Sequence, residues 1–166
     1  MHRAHRVLRH VVTDHLSVAR AFPSTALARI EQAIAAGERM HRGQLCFVVE
    51  GALPPLRVLH KLTPRERALE VFGLLRVWDT EENAGVLVYL LLADRDVEIV
   101  ADRGIDRRVD AGTWQAICTR METAFAQGRY VEGVVDGIGE ISTLLAAHFP
   151  HTSAIGNELP DKPVVL

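Results

Sequence analysis

Two groups of oxygen-bearing residues carry most of the chemistry open to this sequence. One is Asp94-Arg95-Asp96-Val97-Glu98, which follows an unbroken apolar run. A D-x-D behind a strand invites two readings. The aspartyl nucleophile of haloacid-dehalogenase phosphatases needs Thr or Val at the fifth position, where Glu98 stands. An EF-hand loop needs Gly at the sixth position for its sharp turn, where Ile99 stands. Neither fits. The stretch reads instead as a polar hairpin tip, where Asp tolerates the turn geometry and water serves each carboxylate.

The second group is Asp79, Asn83, Asp102 and Asp106. A hairpin turning at Arg95–Asp96 sets Asp102 across from Tyr89 and Ile105 across from Val86. Asp102 and Asp106 then lie beside Asn83 at the start of the first hairpin strand. Asp94 is roughly 20 Å away at the other end, at about 3.3 Å per residue. The connections Asp79–Gly85 and Arg103–Gly112 meet at the Asp102 end and can shape a cleft. Hard cations take several oxygens from such loops, so these four residues are the candidate metal ligands. Two alternatives stay open. Asp102 can cap a loop by bonding backbone N–H groups, or Arg103, Arg107 and Arg108 can neutralise the cluster without a metal.

Other reactive types show no usable spacing. His2, His5 and His10 share a basic N-terminal arm, and His148 and His151 flank Pro150; none falls in H-E-x-x-H. Ser17, Ser24, Ser142 and Ser153 lack the G-x-S-x-G elbow. Cys46 and Cys118 sit in separate apolar segments and read as buried, reduced thiols. Gly133, Gly137 and Gly139 include a G-x-G without a preceding strand, so close helix–sheet packing is the expectation for Gly133 and Gly137.

Composition bounds the scaffold. The chain has 166 residues, 48% of them apolar, with 19 Lys and Arg against 21 Asp and Glu. That is one domain's worth of sequence. It lacks the overall basic charge of a nucleic-acid binder. The longest apolar run, Ala84–Ala93, is about half of a membrane span.

Residues 1–22 read as a basic amphipathic helix, with Val7, Leu8, Val11, Val12 and Leu16 set against Arg3, Arg6, Arg9 and His10. The helix either docks with its basic face in solvent or anchors the chain to anionic lipid. Residues 23–150 form the main domain. Ser24 is the expected N-cap of a helix carrying Leu27, Ile30 and Ile34; Gln44–Glu50 is a strand, and Gly51–Leu62 a loop. Thr63-Pro64-Arg65-Glu66 is a capping box, opening a helix that buries Ala68, Leu69, Phe72 and Leu75 and runs to about Val77. Val86–Ala93 and Val97–Ala101 make a hairpin. Its first strand is apolar at every position and must be covered on both faces. Helices from Asp110 to Gly128 and from about Val134 to Phe149 can cover it. The tail, 151–166, ends in Pro163-Val164-Val165-Leu166, which can pack back. The expected fold is α/β, a three-layer α/β/α sandwich with a mixed sheet and helices on both faces.

Trp78-Asp79-Thr80, Asn83–Tyr89 and Val97–Ile105, continued by Trp114, Met121, Phe125, Gly128, Gly133 and His148-Phe149-Pro150, resemble the TPM domain family over residues 24–150. The family takes its name from a thylakoid-lumen phosphatase, a photosystem-assembly protein and a modulator of acetylcholine receptors. The resemblance implies an α/β/α sandwich. Some plant relatives are acid phosphatases, and some members bind calcium or magnesium. Bacterial members often accompany a LemA-like membrane protein, and most have a signal peptide or a membrane tail. This sequence shows neither pattern. The expected location is cytoplasmic, peripheral to the inner membrane if membrane-associated at all.

The expected function is a TPM-like binding or scaffolding module, with Ca2+ or Mg2+ as the only implied cofactor. The implied partner is a LemA-like or other membrane-associated protein. The alternative is a weak metal-dependent phosphatase acting on phosphomonoesters. The sequence leaves enzyme and non-enzyme open.

Overall fold

The apolar runs in the middle of the chain become a four-stranded sheet in the computed structural model, which describes residues 2–13, 15–151 and 156–166, without the side chains of 2, 3 and 15. Arg3 of the expected basic face, His2 of the N-terminal arm and Ser153 therefore lie outside the described side chains. The strands are β1 (Gln44–Glu50), β2 (Gly85–Leu91), β3 (Asp96–Ala101) and β4 (Val164–Val165), in the order β3-β2-β1-β4. β1 runs parallel to β2 and β4, and β2 antiparallel to β3, so the sheet is mixed. Every residue of β1 and β2 is buried.

Alternation along the strands divides the core in two. Leu45, Phe47 and Val49 of β1, with Val86, Val88 and Leu90 of β2, face α3 (Ser24–Glu38), α7 (Ala111–Ala126) and α8 (Tyr130–His148). Cys46 and Val48, with Leu87, Tyr89 and Leu91, face α4 (Pro55–Leu59) and α5 (Pro64–Leu74). Helices cover both faces, and the fold is the expected α/β/α sandwich. No described helix is long and apolar enough to cross a membrane. The capping box forms. Thr63 Oγ1 accepts from the Glu66 N–H at 3.1 Å, and Glu66 Oε2 accepts from the Thr63 N–H at 2.8 Å. Such a cap contributes about 1 kcal/mol.

Several local expectations are corrected. The hairpin pairs Val86 with Ala101 and Leu91 with Asp96, turning through Leu92–Arg95 with Arg95 at φ 54°. Asp102 is thus beyond the strand and not opposite Tyr89. The reason lies on the other edge of β2: Leu92 and Ala93 donate to the Glu50 and Gly51 carbonyls, following β1 after β3 has turned away. Leu69 is 50% exposed, because α5 meets the sheet through Ala68 and Val71. Pro23, not Ser24, caps α3, with no side-chain bond. The expected loop 51–62 holds α4, with Pro55 starting the helix. Gly133 and Gly137 allow close approach to α7 rather than to the sheet: a Cβ on Gly137 would lie 2.6 Å from Met121 Sδ. The N-terminal arm is two helices, α1 (His2–Val12) and α2 (His15–Ala21).

Candidate functional site

Asp102 stands between β3 and the one-turn helix α6 (Arg103–Asp106). Its N–H donates to the Gly85 carbonyl at 2.8 Å, which holds it against the start of β2. Its Oδ1 accepts from the Arg103 N–H at 2.7 Å and so caps α6. Its Oδ2 is buried and has no hydrogen-bond partner among the described residues. Asn83 lies in the same corner in a left-handed conformation, φ 52°. Its side-chain oxygen accepts from Arg103 Nε at 2.9 Å, and its carbonyl accepts from the Gly104 N–H at 3.1 Å. A Cβ on Gly104 would sit 2.5 Å from the Asn83 carbonyl oxygen and 2.8 Å from that of Glu82, so glycine lets the two backbones meet.

Of the other two expected ligands, one is paired away and the other is joined to Asp102 only through its backbone N–H, which donates to the Asp102 carbonyl at 2.9 Å. Asp79 is half exposed and paired with Arg76 at 2.6 Å. Asp106 is exposed and lines a cavity of about 330 Å³ with Arg65, Glu98 and Trp114. The corner therefore joins Asp102 to Asn83 through Arg103 and leaves Asp79 to its own arginine. Among the described residues, no group of three or more His, Cys, Asp or Glu is placed to hold a metal ion.

The opposite end of the hairpin departs furthest from expectation. Asp94 is not served by water. Its side chain is 8% exposed, held by Arg6 at 2.9 Å and Arg9 at 3.0 Å, with His10 Nε2 3.2 Å away. His10 is itself buried, and its Nδ1 accepts from the Leu53 N–H at 2.9 Å. Burial lowers the His10 pKa, and Asp94 pulls the other way. Beside it, burial and then the charges of Glu98, Glu122 and Asp94 push Asp96 up to about 7. Arg6 and His10 of the α1 basic arc thus face inward, with Arg9 half exposed at the rim. Leu8, Val11, Val12 and Leu16 face out, each 59–65% exposed. The sequence contained both arcs at helical spacing, and nothing local to α1 marks which one meets a carboxylate eighty residues on. Between α1, α2, the hairpin turn and the start of α8 lies a cavity of about 740 Å³, bordered by Arg9, Arg20 and Arg95.

Both thiols and Ser142 are enclosed. Burial pushes the Cys46 thiol up to about 11 and Cys118 up to about 12, so both stay protonated. Ser142 is 1% exposed, inside the contact of α8 with α3. Thr119, Thr123 and Thr143 donate to the carbonyls four residues back.

Glu38 offers a measurable consequence. Burial pushes its carboxyl up to about 8, and the nearby Asp161 adds to the shift. It accepts from the Leu45 N–H at 2.8 Å. Its ordinary unfolded value is near 4.5. Between these values the folded chain holds a proton that the unfolded chain has lost. Stability from this group is therefore full below about pH 4.5 and falls as pH rises towards 8. Glu38→Gln keeps the acceptor and cannot ionise. Its gain over the parent should be near zero at pH 5 and about 1–2 kcal/mol at pH 8.5, after screening by the solvent that reaches this side chain. Urea melts at the two pH values check it; a pH-independent difference would remove Glu38 as the titrating group.

The comparisons agree with this architecture. The model of the TPM domain matches residues 16–144. Among solved structures, the NMR structure of BA42 protein from the psychrophilic bacterium Bizionia argentinensis aligns with a TM-score of 0.73 and 26% identity, covering 89% of this chain and 93% of that one. The N-terminal domain of a P. gingivalis protein aligns with a TM-score of 0.56 and 20% identity, covering 74% and 76%, and shares the fold. No curated protein matches. With its sheet, its flanking helices and the span 16–144 all in agreement, the chain belongs to the TPM domain family.

Proposed function

We propose that this TPM domain is a binding module that takes a divalent cation, Ca2+ or Mg2+, at Asp102. The observation that carries the reading is Asp102 Oδ2, a buried carboxylate oxygen without a donor. Leaving such an atom unmet costs about 1–3 kcal/mol or more, and a hard cation meets it. Asp102 and the oxygens of the 79–85 loop are of the right type. Asp102 with Asn83 would hold the ion; Asp79 and Asp106 would join only after leaving their present surroundings. With one free carboxylate oxygen, affinity should fall in the weak range, about 0.1–1 mM or above.

The enclosed thiols and the buried Ser142 support binding over covalent catalysis. The scaffolding role, with a LemA-like or other membrane-associated partner, rests on the family resemblance; a cytoplasmic location rests on the reading of the sequence alone. Calcium titration followed by amide shifts tests the site. Shifts should centre on Asn83, Asp102 and Gly104 and vanish in Asp102→Asn. Shifts centred on Asp94–Glu98, or none at 10 mM calcium (about tenfold above the weak range), would overturn it. Magnesium-dependent phosphomonoester turnover, lost in a folded Asp102→Asn variant, would instead establish the phosphatase alternative.

A further inference from the structure

The inward turn of Arg6 and His10 leaves an unusual outer surface. Leu8, Val11, Val12 and Leu16 form an apolar ridge on α1 and α2, each 59–65% exposed in a chain whose other large aliphatics lie mostly in two cores. Val12 belongs both to this ridge and to the wall of the 740 Å³ cavity, so ridge and cavity are continuous. The cavity wall carries Arg9, Arg20 and Arg95. Arg9 is half exposed and shared with Asp94. Arg20 and Arg95 are exposed and have no acidic partner among the described residues. Among the described residues, the one acid on the wall, Glu132, already meets Arg29 at 3.7 Å. A cationic hollow beside an apolar ridge, on a chain of net charge −2, is a local and directed arrangement.

We propose that this surface docks onto an anionic lipid bilayer, with headgroup phosphates at Arg9, Arg20 and Arg95 and the ridge at the acyl boundary. Interfacial binding of this kind adds apolar burial to attraction for anionic lipid. A second copy of the chain is a poorer occupant: in a two-fold contact the same patch meets itself, and its described residues bring no free carboxylate to the arginines, whereas an anionic bilayer supplies both an apolar boundary and the opposite charge. The proposal uses no residue of the Asp102 corner and stands or falls apart from the cation reading.

Cosedimentation of the full chain with vesicles tests it, using phosphatidylcholine alone against equal parts phosphatidylcholine and phosphatidylglycerol. Binding should require phosphatidylglycerol and weaken with salt. The double variant Arg20→Glu and Arg95→Glu should bind at least about tenfold more weakly, since each arginine near such a surface contributes about fivefold. Val11→Ser with Val12→Ser should also weaken binding, with melting temperatures of both variants near that of the parent. Equal binding to both vesicles, no binding at low salt, or binding unchanged in either double variant overturns the proposal. So does a response of the Arg20 and Arg95 amides to inorganic phosphate without vesicle binding, which would mark a small-anion site. A concentration-dependent dimer abolished by Val11→Ser with Val12→Ser would assign the ridge to a second copy.

Discussion

Replacing Glu50 with alanine is expected to destabilise the fold by about 3–5 kcal/mol. Glu50 ends β1 on the face covered by α5 and is 6% exposed. Arg67 of α5 reaches it with two bonds, Nε to Oε2 at 2.8 Å and Nη2 to Oε1 at 3.1 Å. The Tyr89 hydroxyl of β2 donates to the same Oε2 at 2.6 Å. Each partner registers the contact: the carboxylate holds the Arg67 guanidinium further towards its charged form, while burial and this carboxylate raise the Tyr89 pKa. Removing Glu50 strands a largely buried guanidinium and a buried hydroxyl together, leaving only Glu70, half exposed, for Arg67. Tyr89→Phe should cost far less, about 1 kcal/mol, because Arg67 still serves the carboxylate. Urea melts of the two variants separate the outcomes. Similar small losses in both would mean that Glu50 exchanges its partners for water with ease.

Gly85→Ala is expected to cost about 3 kcal/mol or to prevent folding, an overpacking loss at the upper end of its range. Gly85 opens β2, pairs with Gln44, and is buried. A Cβ there would stand 1.9 Å from the Val77 carbonyl oxygen and 2.9 Å from its carbon. These are backbone atoms of the segment that brings the chain from α5 into the sheet, so no side-chain rotation relieves them. The Gly85 carbonyl also accepts from the Asp102 N–H, so displacement of this residue should reach the Asp102 corner. The same substitution at Gly139, which meets nothing within 4 Å, provides the control and should be neutral or slightly stabilising. A Gly85→Ala variant melting within about 1 kcal/mol of the parent would show that the Val77 segment yields freely.

The layers were legible in the order of the residues. β1 and β2 have few polar side chains to offer solvent, and a strand buried on both faces demands helices on both. The Thr63 capping box was legible because both of its bonds close within one helical turn. The helices bearing Trp114 to Phe125 and Val134 to Leu145 were legible from repeated apolar spacing, which one packed face enforces. Tertiary structure decided what depends on approach between distant segments. The arc of α1 that points inward was set by Asp94, 88 positions from Arg6, because a carboxylate losing its water needs counter-charges close by. The hairpin register was set by β1, whose end at Glu50 and Gly51 holds Leu92 and Ala93 away from β3. The residues expected to gather at Asp102 were divided by arginines: Arg76 holds Asp79 and Arg103 holds Asn83, because such long side chains reach whichever acceptor the fold brings near. Periodicity records which residues share a face, but an ion pair across the fold leaves no periodic trace, so charge placement had to come from the assembled molecule.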